Sequence, residues 1–247
     1  MVELERDGGI ARIFLNRPQK VNALHAALLD QLAAAVEGLA ADDRLRVVVL
    51  AGRGKAFCGG ADLHDLASLT ANTAGAFVGR IHRVCAALRA LPVPVVARLH
   101  GAVIGGGLEI AAACDLRVAA QDTRFAMPEV KLGIPSVVEA ALLPRLMGSG
   151  RAAWLVLTGE PIDADRAYEW GLVEALCAAS ELDRTVARVV QSLVAADPHA
   201  LRLQKELLQL WDEAPLAASI DASVARFAQA YAGGAPAALR RHTISRA

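Results

Sequence analysis

The stretch that decides the fold is a glycine-rich corner, His100-Gly-Ala-Val-Ile-Gly-Gly-Gly-Leu-Glu-Ile-Ala-Ala-Ala-Cys-Asp115. Its three consecutive glycines lead into an apolar helical pattern that carries Glu109 in the first turn. Glycine lets the backbone approach a ligand closely, and a helix start offers unpaired N–H groups at a positive dipole end. The pattern therefore predicts an oxyanion site with a carboxylate beside it. The alternative is a tight turn ahead of a buried helix.

A second corner of the same kind favours the first interpretation. The segment Lys55-Ala-Phe-Cys-Gly-Gly-Ala-Asp-Leu63 follows the run Val47-Val-Val-Leu-Ala-Gly52. This run is apolar without alternation, which is typical of a strand buried on both faces of a parallel sheet. Asp62 then stands where a helix N-cap is expected. Two strand-to-helix corners thus each offer exposed backbone amides.

The rest of the chain alternates between strand and helix patterns. Strands are predicted over residues 10–15, 47–52, 92–99 and 116–119, and apolar residues recur at helical spacing from Leu24 to Leu39, with Asn22 as the expected cap. The alternation predicts crossover connections and a mostly parallel sheet in an α/β fold. Three further helices are predicted over 181–196, 198–211 and 215–231, two of which begin at prolines.

Composition excludes several classes of protein. The chain has 247 residues, enough for one domain with a helical extension, and its 26 basic residues equal its 26 acidic ones. No overall field attracts nucleic acid or an anionic membrane. No apolar run reaches the length of a membrane span, and the polar N-terminus is unlike a signal or transit peptide. The four cysteines lack metal-binding spacing, so we expect reduced thiols, no metal site and a cytoplasmic protein.

Several motifs together resemble the crotonase family, also called the enoyl-CoA hydratase/isomerase family. The resemblance covers nearly the whole chain. Besides both glycine corners it includes the segments Leu15-Asn-Arg-Pro-Gln-Lys-Val-Asn-Ala-Leu24, Phe125-Ala-Met-Pro-Glu129, Leu143-Pro-Arg-Leu-Met-Gly148, Leu157-Thr-Gly-Glu160 and Ala167-Tyr-Glu-Trp-Gly-Leu-Val173. It implies that the sheet winds as a ββα spiral core with an acyl-CoA site over residues 1–190. Residues 191–247 would form a helical region that covers the site and contacts other subunits of a homotrimer, or of a hexamer built from two trimers.

The resemblance also implies the site residues. Glu109 would activate a water and Glu129 would deliver a proton to the α-carbon. The backbone amides of Ala61 and Gly106 would form the oxyanion hole. Contacts to substrate or to coenzyme A would come from a further set: Lys20, Ala23, Lys55, Gly60, Asp62, Leu63, Gly105 and Ser136.

The activity that follows is reversible addition of water to a 2-enoyl-CoA thioester through an enolate. It needs no cofactor, because coenzyme A is part of the substrate. The alternatives are another acyl-CoA enzyme of this fold (an enoyl-CoA isomerase, a thioester hydrolase or a decarboxylase) and a non-catalytic binding protein.

One wall of the expected site departs from the family pattern. Family hydratases usually have Pro-Gly-x-Gly-Gly-Thr where this chain has Ile134-Pro-Ser-Val-Val-Glu-Ala-Ala-Leu-Leu143. We expect the amide of Ser136 to hold the water there. Glu139, a third carboxylate, is either an auxiliary acid or an exposed residue of a helix that starts near Ser136, and we favour the exposed position.

Three other polar residues are expected to have structural roles and no part in catalysis. Cys58 lies in the first corner, where packing is favoured over a role as nucleophile. His64 is placed on a solvated helix face, because no serine or cysteine stands ready to complete a triad with it. His100 replaces an asparagine that is frequent in the family and is expected to form structural hydrogen bonds.

Overall fold

The computed structural model describes residues 1–232 together with Gly234 and Pro236. Its strands are β1 (Val2–Asp7), β2 (Ile10–Leu15), β3 (Val47–Gly52), β4 (Val95–Leu99), β5 (Ala102–Ile104), β6 (Leu116–Ala120), β7 (Arg124–Ala126), β8 (Ile162–Asp163) and β9 (Ala175–Cys177). Six of them form one sheet in the order β1-β2-β3-β4-β6-β9, parallel except for the antiparallel β1–β2 pair. The remaining strands form a smaller sheet in the order β5-β7-β8.

The helices alternate with these strands. They are α1 (Ala26–Glu37), α2 (Leu63–Ser68), α3 (Ala71–Ala90), α4 (Gly106–Ala112), α5 (Leu143–Met147), α6 (Ser149–Thr158), α7 (Ala164–Glu169), α8 (Leu182–Ala195), α9 (Pro198–Glu213) and α10 (Leu216–Gln229). Two 3₁₀ turns, Glu129–Leu132 and Val138–Leu142, lie between β7 and α5. This arrangement confirms the predicted α/β class with a mostly parallel sheet and C-terminal helices.

Strand β3 shows why its sequence has no polar alternation. All six of its residues are buried. Val48 and Leu50 pack into the main core with α1 and α3, whereas Val47 and Val49 pack on the other face against Val186 and other apolar residues of α8. Because helices cover both faces of the sheet, the side chains on both faces of the strand must be apolar.

Two predicted boundaries are wrong. Strand β4 begins at Val95, not at residue 92, because Pro92 and Pro94 lack the N–H that a ladder requires. Helix α1 begins at Ala26, and its cap is His25, whose ring nitrogen accepts from the amide of Leu28. Asn22 is therefore not the cap.

Asn22 instead holds the first corner together from beneath. It is fully buried and has a φ of +54°. Its neighbour Val21 also has a positive φ, of +55°. Its side-chain amide donates to the carbonyls of Arg53, Ala56 and Phe57. These bonds fix the loop that runs out of β3 and towards Ala61.

The small sheet and α3 were not predicted, yet they position the second corner. Strand β5 follows directly from β4 and pairs with β7 in parallel, so that the ends of both strands point the same way. Ile104 of β5 leads into the glycine corner, and Ala126 of β7 leads towards Glu129. Parallel pairing therefore places the two predicted glutamates at the same edge of the small sheet.

The predicted C-terminal helices are confirmed as α8, α9 and α10. The predicted domain boundary after residue 190 falls inside α8, whose Leu182, Val186 and Val190 pack on the large sheet. The division into two domains stays a prediction, and its last residues, 233, 235 and 237–247, lie outside those described. None of the described helices combines the length and apolarity that crossing a bilayer requires.

Candidate active site

The glycine corner brings the two predicted glutamates together. Gly105 is the N-cap of α4 with a φ of +50°, a conformation that side chains rarely adopt. A Cβ atom at position 105 would collide with Oε1 of Glu129, whose side chain reaches across from the turn after β7. Glu109 lies in the first turn of α4 and is only 4% exposed. Residues twenty positions apart in sequence thus meet at one point.

Each carboxylate has one hydrogen-bond donor in the altered wall. The amide of Ala140 donates to Oε1 of Glu109 at 3.2 Å, and the hydroxyl of Ser136 donates to Oε2 of Glu129 at 2.9 Å. The wall therefore orients both acids even though the glycines usual in the family are missing. The role predicted for Ser136, a water contact through its amide, stays a prediction; its hydroxyl lies on Glu129. Ala140 was missed because a backbone amide leaves no sequence signal.

Burial controls the proton on Glu109. Loss of hydration, as the largest cause, and the nearby charge of Glu129 raise the pKa of Glu109 from 4.5 to about 8. The Ala140 amide opposes this shift, and the charge of Glu139 adds to it. Glu109 therefore binds a proton more tightly than an exposed carboxylate does. Two carboxylates that share one proton suit paired acid and base chemistry.

The first corner presents an unused amide at Ala61. The chain crosses Leu24 there in a parallel bridge, with the Leu24 amide donating to Gly60 and the Asp62 amide donating to Leu24. Alternate amides of an extended chain point to opposite sides, so the Ala61 N–H faces away from this bridge. Within the described residues it donates to no acceptor, and the same holds for Gly106 at the start of α4. These are the two amides predicted to form the oxyanion hole.

All four groups line one pocket of about 290 Å³. Seven of the predicted site residues contribute to its wall: Gly60, Ala61, Leu63, Gly105, Gly106, Glu109 and Glu129. The rest of the wall is mostly apolar, with contributions from α2, from α3 and from the segment before Glu139: Leu66, Phe77, Val78, Ile81, Leu132, Ile134 and Val137. A mostly apolar cleft with a few convergent polar groups is the usual form of a small-molecule site.

Five predicted contact residues lie outside the pocket wall. Lys20 and Lys55 are exposed, while Ala23 and Ser136 are half-buried. Asp62 caps α2 by accepting from the amide of His64, which confirms the predicted cap. Its other carboxylate oxygen accepts from Arg17 at 2.6 Å, and that ion pair lowers the pKa of Asp62. Asp62 therefore braces the first corner, and the coenzyme contacts predicted for these five residues remain predictions.

The expectation that Glu139 is exposed is wrong. Its side chain is buried in the turn Val138–Leu142, where Oε1 lies 2.7 Å from Nδ1 of His82 on α3. The segment does not form a helix from Ser136, because Val137 is extended and the chain turns inward only at Val138. The buried position follows from the packing of this turn between α3 and α4, which local sequence does not reveal.

The positions expected for Cys58, His64 and His100 are confirmed. Cys58 is fully buried, and burial raises the pKa of its thiol to about 12, so it is no nucleophile near neutral pH. His64 is exposed on α2. His100 bonds through its ring to the carbonyl of Gly54, which ties the two corners together.

Comparison with known proteins agrees with this geometry. The sequence model for the family described as enoyl-CoA hydratase/isomerase matches residues 5–233. The chain belongs to this family. A short-chain-enoyl-CoA hydratase of Clostridium acetobutylicum is 35% identical over 84% of this chain and 80% of its own length. A crotonyl-CoA hydratase of Syntrophomonas wolfei is 35% identical over 82% of this chain and 78% of its own.

A solved structure supports the crotonase fold over most of the chain. The enoyl-CoA hydratase of Mycobacterium smegmatis superposes with a TM-score of 0.92 at 34% identity, covering 96% of this chain and 93% of its own. The crotonase resemblance inferred from the sequence is therefore confirmed for family and fold.

Proposed function

We propose that this protein is an enoyl-CoA hydratase, a hydro-lyase that adds water reversibly to a 2-enoyl-CoA thioester. The observation that carries the proposal is the convergence of two carboxylates, Glu109 and Glu129, with two unused amides, Ala61 and Gly106, on one pocket. The relatives named as short-chain-enoyl-CoA and crotonyl-CoA hydratases support it.

The two amides would act on the thioester carbonyl. As the enolate forms, negative charge develops on the carbonyl oxygen, and preformed N–H donors stabilise that charge more than they stabilise the neutral substrate. Among the described residues, neither amide has another acceptor to give up. The same donors withdraw electrons from the conjugated double bond and so make its β-carbon open to attack by water.

The two carboxylates would move the protons. Hydration starts from the form in which the shared proton is on Glu129 and Glu109 is ionised. Glu109 takes a proton from water while the hydroxyl adds to the β-carbon, and Glu129 gives its proton to the α-carbon. The substrate gains one water, and the proton now on Glu109 returns to Glu129 before the next turnover. In dehydration the same steps run backwards, with protonated Glu109 donating to the leaving hydroxyl. The raised pKa of Glu109 keeps it ready for that direction at neutral pH.

The pocket wall supports an apolar acyl group. Beside the amides, α3 contributes Phe77, Val78 and Ile81, and the altered wall contributes Val137. No charged side chain other than Glu109, Glu129 and Lys131 lines this pocket in the part of the chain that the structure describes. We therefore propose an aliphatic enoyl chain as substrate. The chemistry uses no metal or redox cofactor, since amides and carboxylates supply every step.

Subunit contacts are proposed through the last helix. One face of α10 carries Leu216, Ile220, Val224 and Phe227, which are between 55% and 77% exposed. An apolar stripe of this size in a single chain marks a contact surface. We propose that it packs in a homotrimer or in a hexamer of two trimers. The free thiols favour a reducing compartment, and we propose the cytoplasm.

The test is a direct assay. Purified protein is mixed with crotonyl-CoA, and loss of the absorbance of the conjugated thioester is followed together with the product mass. The expected product is heavier than the substrate by one water. Glu109→Gln serves as the matched control, because it keeps the fold and the side-chain shape. Absorbance loss without that mass gain, or release of free coenzyme A, would contradict hydration.

A further inference from the structure

A third carboxylate lies behind Glu109 and takes no part in the proposed reaction. Glu139 is 8% exposed, and its Oε2 atom is buried without a hydrogen-bond partner among the described residues. Its Oε1 atom lies 2.7 Å from Nδ1 of His82. Burial of a carboxylate with one oxygen unpaired is unfavourable, and an apolar residue would fill the same position without that cost. A purely structural role therefore explains this residue poorly.

The backbone is strained at the residue before Glu139, where the chain turns inwards. Val138, the residue before it, has a φ of +39°. That region is unfavourable for a β-branched residue and persists only where the surrounding structure enforces it. The residue after it, Ala140, donates its amide to Glu109. One short turn thus both holds Glu109 and places a second charge behind it.

The groups around Glu109 come from three elements. Glu129 lies on the turn after β7, Glu139 lies on the strained turn, and the buried thiol of Cys85 lies on α3. Burial raises the pKa of Cys85 well above its ordinary value, and the charges of Glu139 and Glu109 raise it further, as expected for a thiol close to both acids. His82 contacts Glu139, whereas Lys131, which lines the same pocket, is paired with Glu160.

His82 connects this cluster to solvent. Its side chain is 61% exposed, whereas the Glu139 carboxylate that it contacts is 9% exposed. The negative charge of Glu139 opposes ionisation of Glu109, and a positive charge at position 82 balances it.

We propose, on the basis of the proposed hydratase function, that Glu139 and His82 form a positioning pair that controls whether Glu109 carries its proton. Neither side chain contacts the substrate. The pair acts through Glu109 alone, by setting the charge next to it. The altered wall therefore replaces the usual glycine-rich segment with a turn that sets the charge next to Glu109.

The experiment measures the protonation midpoint of Glu109 directly. Protein labelled with ¹³C at the glutamate carboxyl carbons is titrated by NMR, and the Glu109 signal is assigned by its loss in Glu109→Gln. Glu139→Gln should lower the midpoint by at least about half a pH unit, which is about threefold in proton affinity. His82→Lys, which places an ammonium group beside Glu139, should lower it in the parent and have far less effect in Glu139→Gln.

Arg80→Gln is the matched control on the same helix. Arg80 is a half-buried cation that pairs with Asp30, and its loss should leave the midpoint unchanged. The alkaline limb of kcat/KM for dehydration should move with the NMR midpoint, while kcat at its optimum falls less than about tenfold.

Three outcomes would overturn the proposal. A lower thermal stability of Glu139→Gln with an unmoved midpoint would show that Glu139 only holds the turn. A loss of kcat as large as in Glu109→Gln would place Glu139 among the reacting groups. Equal effects of His82→Lys with and without Glu139 would remove His82 from the pair. If the parent protein fails to hydrate enoyl-CoA, the proposed function fails, and the NMR midpoint still decides this inference.

Discussion

Replacing Glu109 by glutamine should make the stability of the protein less dependent on pH. Glutamine has the same shape and still accepts from the Ala140 amide. The pKa of Glu109 is raised from 4.5 to about 8 in the folded protein. The stabilisation associated with the bound proton is thus fully present below about pH 4.5 and is lost as the pH rises through about 8. The variant has no such group to ionise.

The magnitude follows from proton linkage. One proton held by the folded chain and released by the unfolded chain changes the free energy of unfolding by about 1.4 kcal/mol per pH unit. Over the interval from 4.5 to about 8, the difference between variant and parent should grow by on the order of 4 kcal/mol in favour of the variant. Above that interval the difference should be constant.

The assay is urea unfolding of both proteins followed by circular dichroism at one protein concentration, repeated at one-unit intervals from about pH 5 to about pH 9. Taking the difference between the two proteins cancels the groups that they share. Glu169→Gln, a change at an exposed carboxylate on α7, is the control and should show a flat difference. A flat difference for Glu109→Gln as well would refute the argument, because it would mean that Glu109 ionises as it does in water.

Three further predictions concern the reaction. Glu129→Gln and Glu109→Gln should each lower the kcat of hydration by on the order of 10²-fold or more with the fold retained, and hydration by Glu129→Gln at the parent rate would disprove the two-carboxylate mechanism. Gly105→Ala should lower kcat by at least about tenfold, because its Cβ displaces the Glu129 carboxylate; an unchanged kcat would mean that the close approach is unimportant. By calorimetry, a CoA thioether should bind more weakly than a matched thioester, and acetoacetyl-CoA more tightly than either, whereas equal dissociation constants would mean that the amides of Ala61 and Gly106 do not meet on the carbonyl oxygen.

The wall after Gly133 shows how the altered sequence keeps its function by other means. The family pattern supplies glycines there, and this chain supplies Ser136, Val138 and Glu139. The hydroxyl of Ser136 and the amide of Ala140 still orient the two acids. The departure therefore changes what surrounds Glu109 and Glu129 and leaves these two glutamates in place.

Local sequence was sufficient wherever a single segment determines its own conformation. The apolar run of β3, the Asp62 cap and the three C-terminal helices follow from periodicity and capping, and each is present in the structure. The glycine corner is likewise recognisable from its own residues. Gly105 has a φ of +50°, a conformation that favours glycine whatever lies nearby. Motif order across the chain then led to the family, since several weak signals in one order are far more specific than any alone.

Only the tertiary structure decided which distant groups meet. Glu109 and Glu129 share a pocket because β5 and β7 pair in parallel, and those strands are too short to be recognised from three residues each. Glu139 is buried because its turn packs between α3 and α4, although its own segment favours an exposed helix. Burial and the neighbouring charges raise the pKa of Glu109, and both come from residues far away in sequence. The sequence determines which types of residue are available for catalysis, whereas their protonation and their contacts depend on long-range packing.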